Sequence, residues 1–176
     1  MNFLIVYYSR TGNTKILAEL LAADLKKLSS DKNSTVAIEE IKDLKKRTGF
    51  WNWLIAGRDA LKKKLTVINS PKYQIVNFDM ILLGTPIWAG TLSPAIRTYI
   101  VQYRNQLKKV AFFTTSKFQN LQVFEELKEL CRLTPVCYLN ITNAELKSLT
   151  SAPNKLTESV QKKIRDFTEK LMLWNR

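Results

Sequence analysis

The chain has 176 residues, 45% of them hydrophobic and 24% charged, which is enough to bury one real core and too apolar for a disordered chain. It carries 28 Lys and Arg against 15 Asp and Glu, a formal charge of +13, and no histidine. The missing histidine excludes a Ser-His-Asp triad and any step with His as base, nucleophile or metal ligand. The positive charge draws anions without choosing among phosphorylated ligands, acidic proteins, anionic membranes and nucleic acid.

Phe3 to Tyr8 is a compact apolar run that starts almost at the first residue and reads as a strand, with no basic leader before it. Ser9-Arg10-Thr11-Gly12-Asn13-Thr14 follows as a turn. From Lys15 to Lys27 the apolar positions 16, 17, 20, 21 and 25 recur with helical spacing. Val36-Ala37-Ile38, with Ile41 nearby, is the second strand, and Phe78 to Leu83 the third, ending in Gly84-Thr85-Pro86. Ser93-Pro94 opens a helix to about Leu107, with Ser93 placed as N-cap and Pro94 at the first helical position. Val110 to Thr114 is a fourth strand, Asn120 to about Leu130 a helix, and Val136 to Ile141 a fifth strand. A last helix starts at Thr157-Glu158.

Strands alternating with helices predict parallel pairing through right-handed crossovers, and fully apolar strands predict a sheet covered on both faces. The expectation is a single α/β domain over residues 1–176, a three-layer doubly wound sandwich on a five-stranded parallel sheet. No run is apolar for long enough to cross a bilayer. Between the second and third strands, residues 42–65 form a strongly basic segment carrying Phe50, Trp51 and Trp53. It reads as the second crossover helix and its loop, or as a lid or docking surface beside a ligand. Cys131 and Cys137 form no CxxC pair. They read as small buried hydrophobes in a reducing, cytoplasmic setting.

Ligands of open parallel sheets sit outside the carboxyl ends of the strands, so the loops after strands one, three and four are the candidate site. The first loop has three hydroxyl side chains, an Asn and a Gly within six residues, just before a helix. Backbone N–H groups at a helix N-terminus form an anion nest, and glycine allows close approach. The loop has neither the GxxxxGK[ST] pattern nor GxGxxG, so it suits a phosphate monoester better than a nucleoside triphosphate or a dinucleotide.

Tyr8-Ser9-Arg10-Thr11-Gly12-Asn13-Thr14 resembles the [ST]-x-T-G-x-T phosphate loop of flavodoxins, at the same place after the first strand. Gly84 to Pro94 resembles the loop after the third strand, which in that family wraps the isoalloxazine ring. The resemblance implies the flavodoxin-like strand order 2-1-3-4-5 and FMN as cofactor. Ser9, Arg10, Thr11, Gly12, Asn13 and Thr14 would hold its phosphate. Thr85, Pro86, Ile87, Trp88, Ala89 and Gly90 would line the ring, with Trp88 against its edge or face and the Ala89-Gly90 backbone toward N5. In the third loop Thr115 and Ser116 would meet the pyrimidine edge and Phe118 the outer face; this loop departs from its relatives in having no glycine.

The implied function is FMN-dependent electron transfer, as a carrier or as an NAD(P)H- or quinone-linked oxidoreductase, with no dedicated catalytic side chain and no metal. Its redox partner is NAD(P)H, a quinone or an acidic redox protein. Electron-carrier flavodoxins are typically acidic. A basic chain should favour the extra charge of a reduced flavin and so raise its potential. The alternative is a flavodoxin-fold binding module with weak or lost FMN binding that docks an acidic partner. No nucleic-acid reading motif is present, and a phosphoacceptor domain would need acidic residues where Ser9 and Arg10 stand.

Overall fold

The computed structural model describes residues 1–29, 34–44, 60–149 and 155–174. Strand β1 is Phe3–Tyr7, β2 Val36–Glu40, β3 Met80–Trp88, β4 Thr91–Leu92, β5 Val110–Ser116 and β6 Tyr138–Thr142. Helix α1 is Asn13–Leu28, α2 Pro94–Tyr103, α3 Gln122–Cys131, α4 Asn143–Ser148 and α5 Lys155–Leu173. The sheet runs β2-β1-β3-β5-β6, every neighbouring pair parallel, and the two-residue β4 folds back antiparallel on β3. With β4 set aside this is the expected order of five parallel strands; β4 itself is too short to show a pattern of its own.

Each central strand is buried on both faces, which is why it reads as an unbroken apolar run. Alternate side chains sort to opposite layers. Leu4, Val6, Ile81, Leu83 and Phe112 pack with α2 and α3. Phe3, Ile5, Tyr7, Met80, Leu82, Ala111 and Phe113 pack with α1 and α5. Gly84 is required by the second layer: a Cβ there would lie 2.0 Å from Phe113 Cζ.

The elements differ from the expectation mainly at their ends. The helix after Ser93 stops at Tyr103, and a 3₁₀ turn covers Arg104–Gln106. Ser93 is the N-cap residue and Pro94 opens the helix, yet the Ser93 hydroxyl makes no capping bond. It pairs with Thr85 Oγ1 at 3.0 Å. The third strand begins at Met80 and continues through Trp88, because β4 gives its far end a partner. The last helix begins at Lys155, two residues before its expected start. Helix α4 was not anticipated from its mixed six-residue sequence; a capping box nucleates it, with Thr142 and Glu145 bonding each other's backbone N–H.

Of the basic segment, Phe50, Trp51 and Trp53 lie outside the described residues. Its flanks are anchored: Asp43 bridges Ile68, and Thr66 Oγ1 donates to Asp43 Oδ1 at 2.7 Å. Buried Glu39 accepts from the backbone N–H groups of Lys72 and Tyr73, pinning the approach to β3. Neither thiol is in a disulfide; Cys131 is buried as expected while Cys137 is half-buried, and burial pushes each up to about 12. Among the described residues no helix is long and apolar enough to cross a membrane.

Candidate functional site

Strands β1, β3 and β5 are adjacent and parallel, so their carboxyl ends bring the three candidate loops together. Ile41 N and Tyr8 N continue the ladder past the ends of the strands, to Tyr7 O and Gly84 O.

In the first loop, Gly12 takes φ +90 as the residue preceding α1. That left-handed turn lets Gly12 O accept the first helical bond, from Ile16 N at 2.9 Å. A Cβ at Gly12 would meet nothing within 4 Å. Gly12 has no side chain to cap the helix, and among the described residues no side-chain cap takes its place, so the first-turn N–H groups face the loop. Ser9 Oγ is buried with no hydrogen-bond partner among the described residues. A buried hydroxyl without a partner is costly, and it sits here beside an uncapped helix N-terminus.

The remaining side chains of this loop divide by role. Thr14 is 1% exposed, and its hydroxyl pairs with Thr115 Oγ1 at 2.7 Å. Asn13 Nδ2 donates to Asn143 Oδ1 at 2.9 Å, tying the loop to α4. Thr11 is exposed and Arg10 half-buried. The Arg10 guanidinium carbon lies over the Trp88 ring, 5.8 Å from its centroid.

The second loop is a two-residue hairpin. Trp88 pairs with Thr91 and Ile87 with Leu92, leaving Ala89 and Gly90 as the turn. Both have positive φ, 49 and 82, as a type I′ turn demands. Trp88 meets Tyr8 edge to face with centroids 5.6 Å apart, so the second loop packs directly on the first. Thr85 is fully buried, its hydroxyl shared with Ser93 and with Pro86 O.

In the third loop Ser116 Oγ donates to Phe118 O at 2.5 Å. Asn140 Nδ2 donates to Thr114 Oγ1 at 2.8 Å and to Ser116 Oγ at 3.1 Å. This loop thus closes with hydroxyls and an amide where glycines would have allowed close approach. Phe118 is 70% exposed, with Lys117 Nζ 5.3 Å from its ring centroid. Asn120 Nδ2 donates to Gly90 O at 3.3 Å and joins the third loop to the second.

The fifteen expected residues therefore lie at one end of the sheet: Thr85 to Trp88 end β3, Thr115 and Ser116 end β5, Asn13 and Thr14 open α1, and the rest stand in the three connections. Asn120, Asn140 and Asn143 were not anticipated, since a lone amide in a loop or at a strand end carries no sequence signal. Tyr7, at the end of β1, is raised to about 12 by burial and then by Glu40 and Glu19, so its hydroxyl stays protonated near neutral pH. A separate hollow of about 340 Å³ is lined by Tyr73, Ile75, Val76 and Tyr103. Those residues precede β3 or end α2, which places the hollow at the amino end of the sheet, away from the three loops.

The comparisons agree with this architecture. A flavoprotein from Lactobacillus acidophilus NCFM, solved in complex with FMN, is 25% identical with a TM-score of 0.65, covering 85% of this chain and 99% of its own. Oxidised flavodoxin 1 from Bacillus cereus is 14% identical with a TM-score of 0.56, covering 98% of each chain. Two-electron reduced flavodoxin from Megasphaera elsdenii is 16% identical with a TM-score of 0.55, covering 93% of this chain and 98% of its own. At such identities the last two show the fold alone. A search of curated proteins gives no match. The sequence model described as flavodoxin matches residues 2–162, from the start of β1 into α5, and on that match the chain belongs to the flavodoxin family.

Proposed function

We propose that the chain binds FMN across its three loops and takes part in electron transfer. The observation that carries this reading is the seating of Trp88 on Tyr8 and beneath Arg10, beside an uncapped helix N-terminus with the buried, unpartnered Ser9 hydroxyl. A phosphate monoester suits that end: it accepts from several N–H groups at once and is favoured by the helix dipole. The solved flavoprotein from Lactobacillus acidophilus, with its FMN, adds support.

Ser9 would donate its hydroxyl to the phosphate, and Thr11 and Arg10 would face it from the exposed side. Gly12, Asn13 and Thr14 would contribute backbone N–H groups, since the Asn13 amide and the Thr14 hydroxyl already serve Asn143 and Thr115. Thr85, Pro86, Ile87, Trp88, Ala89 and Gly90 would border the ring, excluding water on the Trp88 side. Thr115 and Ser116 would meet its polar edge, and Phe118 is free to cover the outer face. Bound FMN supplies reversible one- and two-electron chemistry; the chain supplies binding, orientation and electrostatics. Arg10 and Lys117 put cations at the rim, which suits an acidic redox partner or an anionic electron donor such as NADPH.

The test is the visible spectrum of the purified protein, followed by titration of the stripped protein with FMN and with riboflavin. A flavin band, with FMN bound far more tightly than riboflavin, supports the reading. A colourless protein that ignores FMN would leave the binding-module alternative. Bleaching by NAD(P)H with electrons passed to a quinone would mark a reductase, and little turnover alone a carrier.

A further inference from the structure

We propose that Glu126 on α3 is a positioning residue for the Ala89–Gly90 turn: its carboxylate holds β4 in place and thereby sets how the second loop presents Trp88 and the turn backbone to a flavin ring. This rests on reading the three loops as a flavin site.

The turn needs outside support. Its ladder has two residue pairs, Ile87↔Leu92 and Trp88↔Thr91, and a hairpin that short is marginal by itself. Ala89 is held at φ 49, a conformation that a residue with a Cβ adopts only when its surroundings impose it. On one side of the turn, Asn120 Nδ2 reaches Gly90 O. On the other, Glu126 Oε2 accepts from Thr91 Oγ1 at 2.5 Å and from Leu92 N at 3.4 Å.

Glu126 is itself fixed. Its Oε1 accepts from Arg97 Nη2 at 2.7 Å, and Arg97 Nη2 also donates to Thr91 Oγ1 at 3.0 Å, closing a triangle of α2, α3 and β4. Arg97 is 4% exposed. Lys63 Nζ lies 3.5 Å from the same Oε1, which brings the exposed Lys62–Lys64 run up to this loop. Arg97 is buried and Glu126 largely so, and an ion pair taken so far out of water is a poor device for stability, because apolar side chains of the same volume pack as well without the desolvation cost. This one also leaves Arg97 Nε buried without a partner among the described residues, a further cost. What an apolar pair would not do is deliver an acceptor to Thr91 and Leu92, one and two residues after the turn.

The variants are Glu126→Gln and Thr91→Val, with Asp24→Asn as control. Asp24 accepts from Thr168 between α1 and α5, in the layer across the sheet. Each full-length chain, stripped of flavin, is titrated with FMN and with inorganic phosphate as competitor. The part of the near-ultraviolet circular dichroism that Trp88→Phe removes is measured on the flavin-free protein. Glu126→Gln and Thr91→Val should weaken FMN about ten-fold or more, leave phosphate competition unchanged, and diminish the Trp88 signal; Asp24→Asn should change none of these. FMN affinity unchanged in both loop variants overturns the assignment. So does an equal loss for phosphate, which would make Glu126 a support of the whole end of the sheet. If Glu126→Gln does not fold, Thr91→Val decides, since it keeps the ion pair. If the unaltered chain binds no FMN, the flavin reading fails by itself, and the Trp88 signal still decides whether Glu126 sets the loop.

Discussion

Thr14 Oγ1 and Thr115 Oγ1 meet at 2.7 Å across 101 residues of chain, both buried, and that bond ties the first turn of α1 to the end of β5. It joins the proposed phosphate and ring ends of the site through one pair of hydroxyls. Thr14→Val keeps the shape and removes one of them. The Thr115 hydroxyl then loses this partner in a buried place, at a cost of about 1–3 kcal/mol. A urea titration should show that loss, with FMN affinity falling in parallel because the loop is no longer held.

Gly12 and Gly84 should respond to alanine in opposite ways. At Gly12 the new methyl meets nothing, so only the left-handed backbone resists, by about 1–2 kcal/mol. At Gly84 it would enter the Phe113 ring, an overpacking that costs about 3 kcal/mol or more. Gly12→Ala should therefore fold and show its main loss in FMN or phosphate binding. Gly84→Ala should lose stability first. Unfolding midpoints and ligand titrations on the two variants separate the cases.

Two carboxylates should make the protein acid-sensitive. Burial alone would raise Glu126, but hydrogen bonds from Thr91 and Arg97, with the Arg97 charge, hold it below the ordinary carboxylate range. Glu145 is likewise raised by burial and then lowered further by Lys163 and by the Thr142 backbone and hydroxyl. A carboxyl depressed in the folded state stabilises above its unfolded value, about 4.3, and that stability is lost as pH falls through the folded value. Unfolding midpoints measured from pH 6 down to pH 3 should fall. Glu126→Gln should be less stable at pH 6 and have a shallower slope.

The basic rim bears on the potential. If FMN lies between Trp88 and Phe118, Arg10 and Lys117 favour the charge gained on reduction. Arg10→Gln should lower the midpoint potential by roughly tens of millivolts, with a smaller effect at high salt. Spectroelectrochemical titration at two ionic strengths reads both. A potential as low as that of acidic flavodoxins in the unaltered chain would remove electrostatics as its control.

The strands and their two-sided burial were legible in the sequence because each depends on a local pattern, whereas the strand order came with the resemblance that the first two loops carry. Apolar runs of five or six residues mark strands covered on both faces. What the sequence left open depends on atoms brought together from far along the chain. Strand β4 has two residues; it pairs with the far end of β3, and Glu126, 35 residues beyond Thr91, accepts from the Thr91 hydroxyl. The Asn13 side-chain amide finds its partner, Asn143, 130 residues away, which leaves the Asn13 backbone N–H as its contribution to the loop. Ser93 reads as a cap until Thr85 claims its hydroxyl. Residue type and periodicity determined which segments become strands and helices, because those choices rest on neighbours within a few positions. Which polar groups remain to meet a ligand was decided by the tertiary structure, because a donor's partner is set by distance in space rather than along the chain.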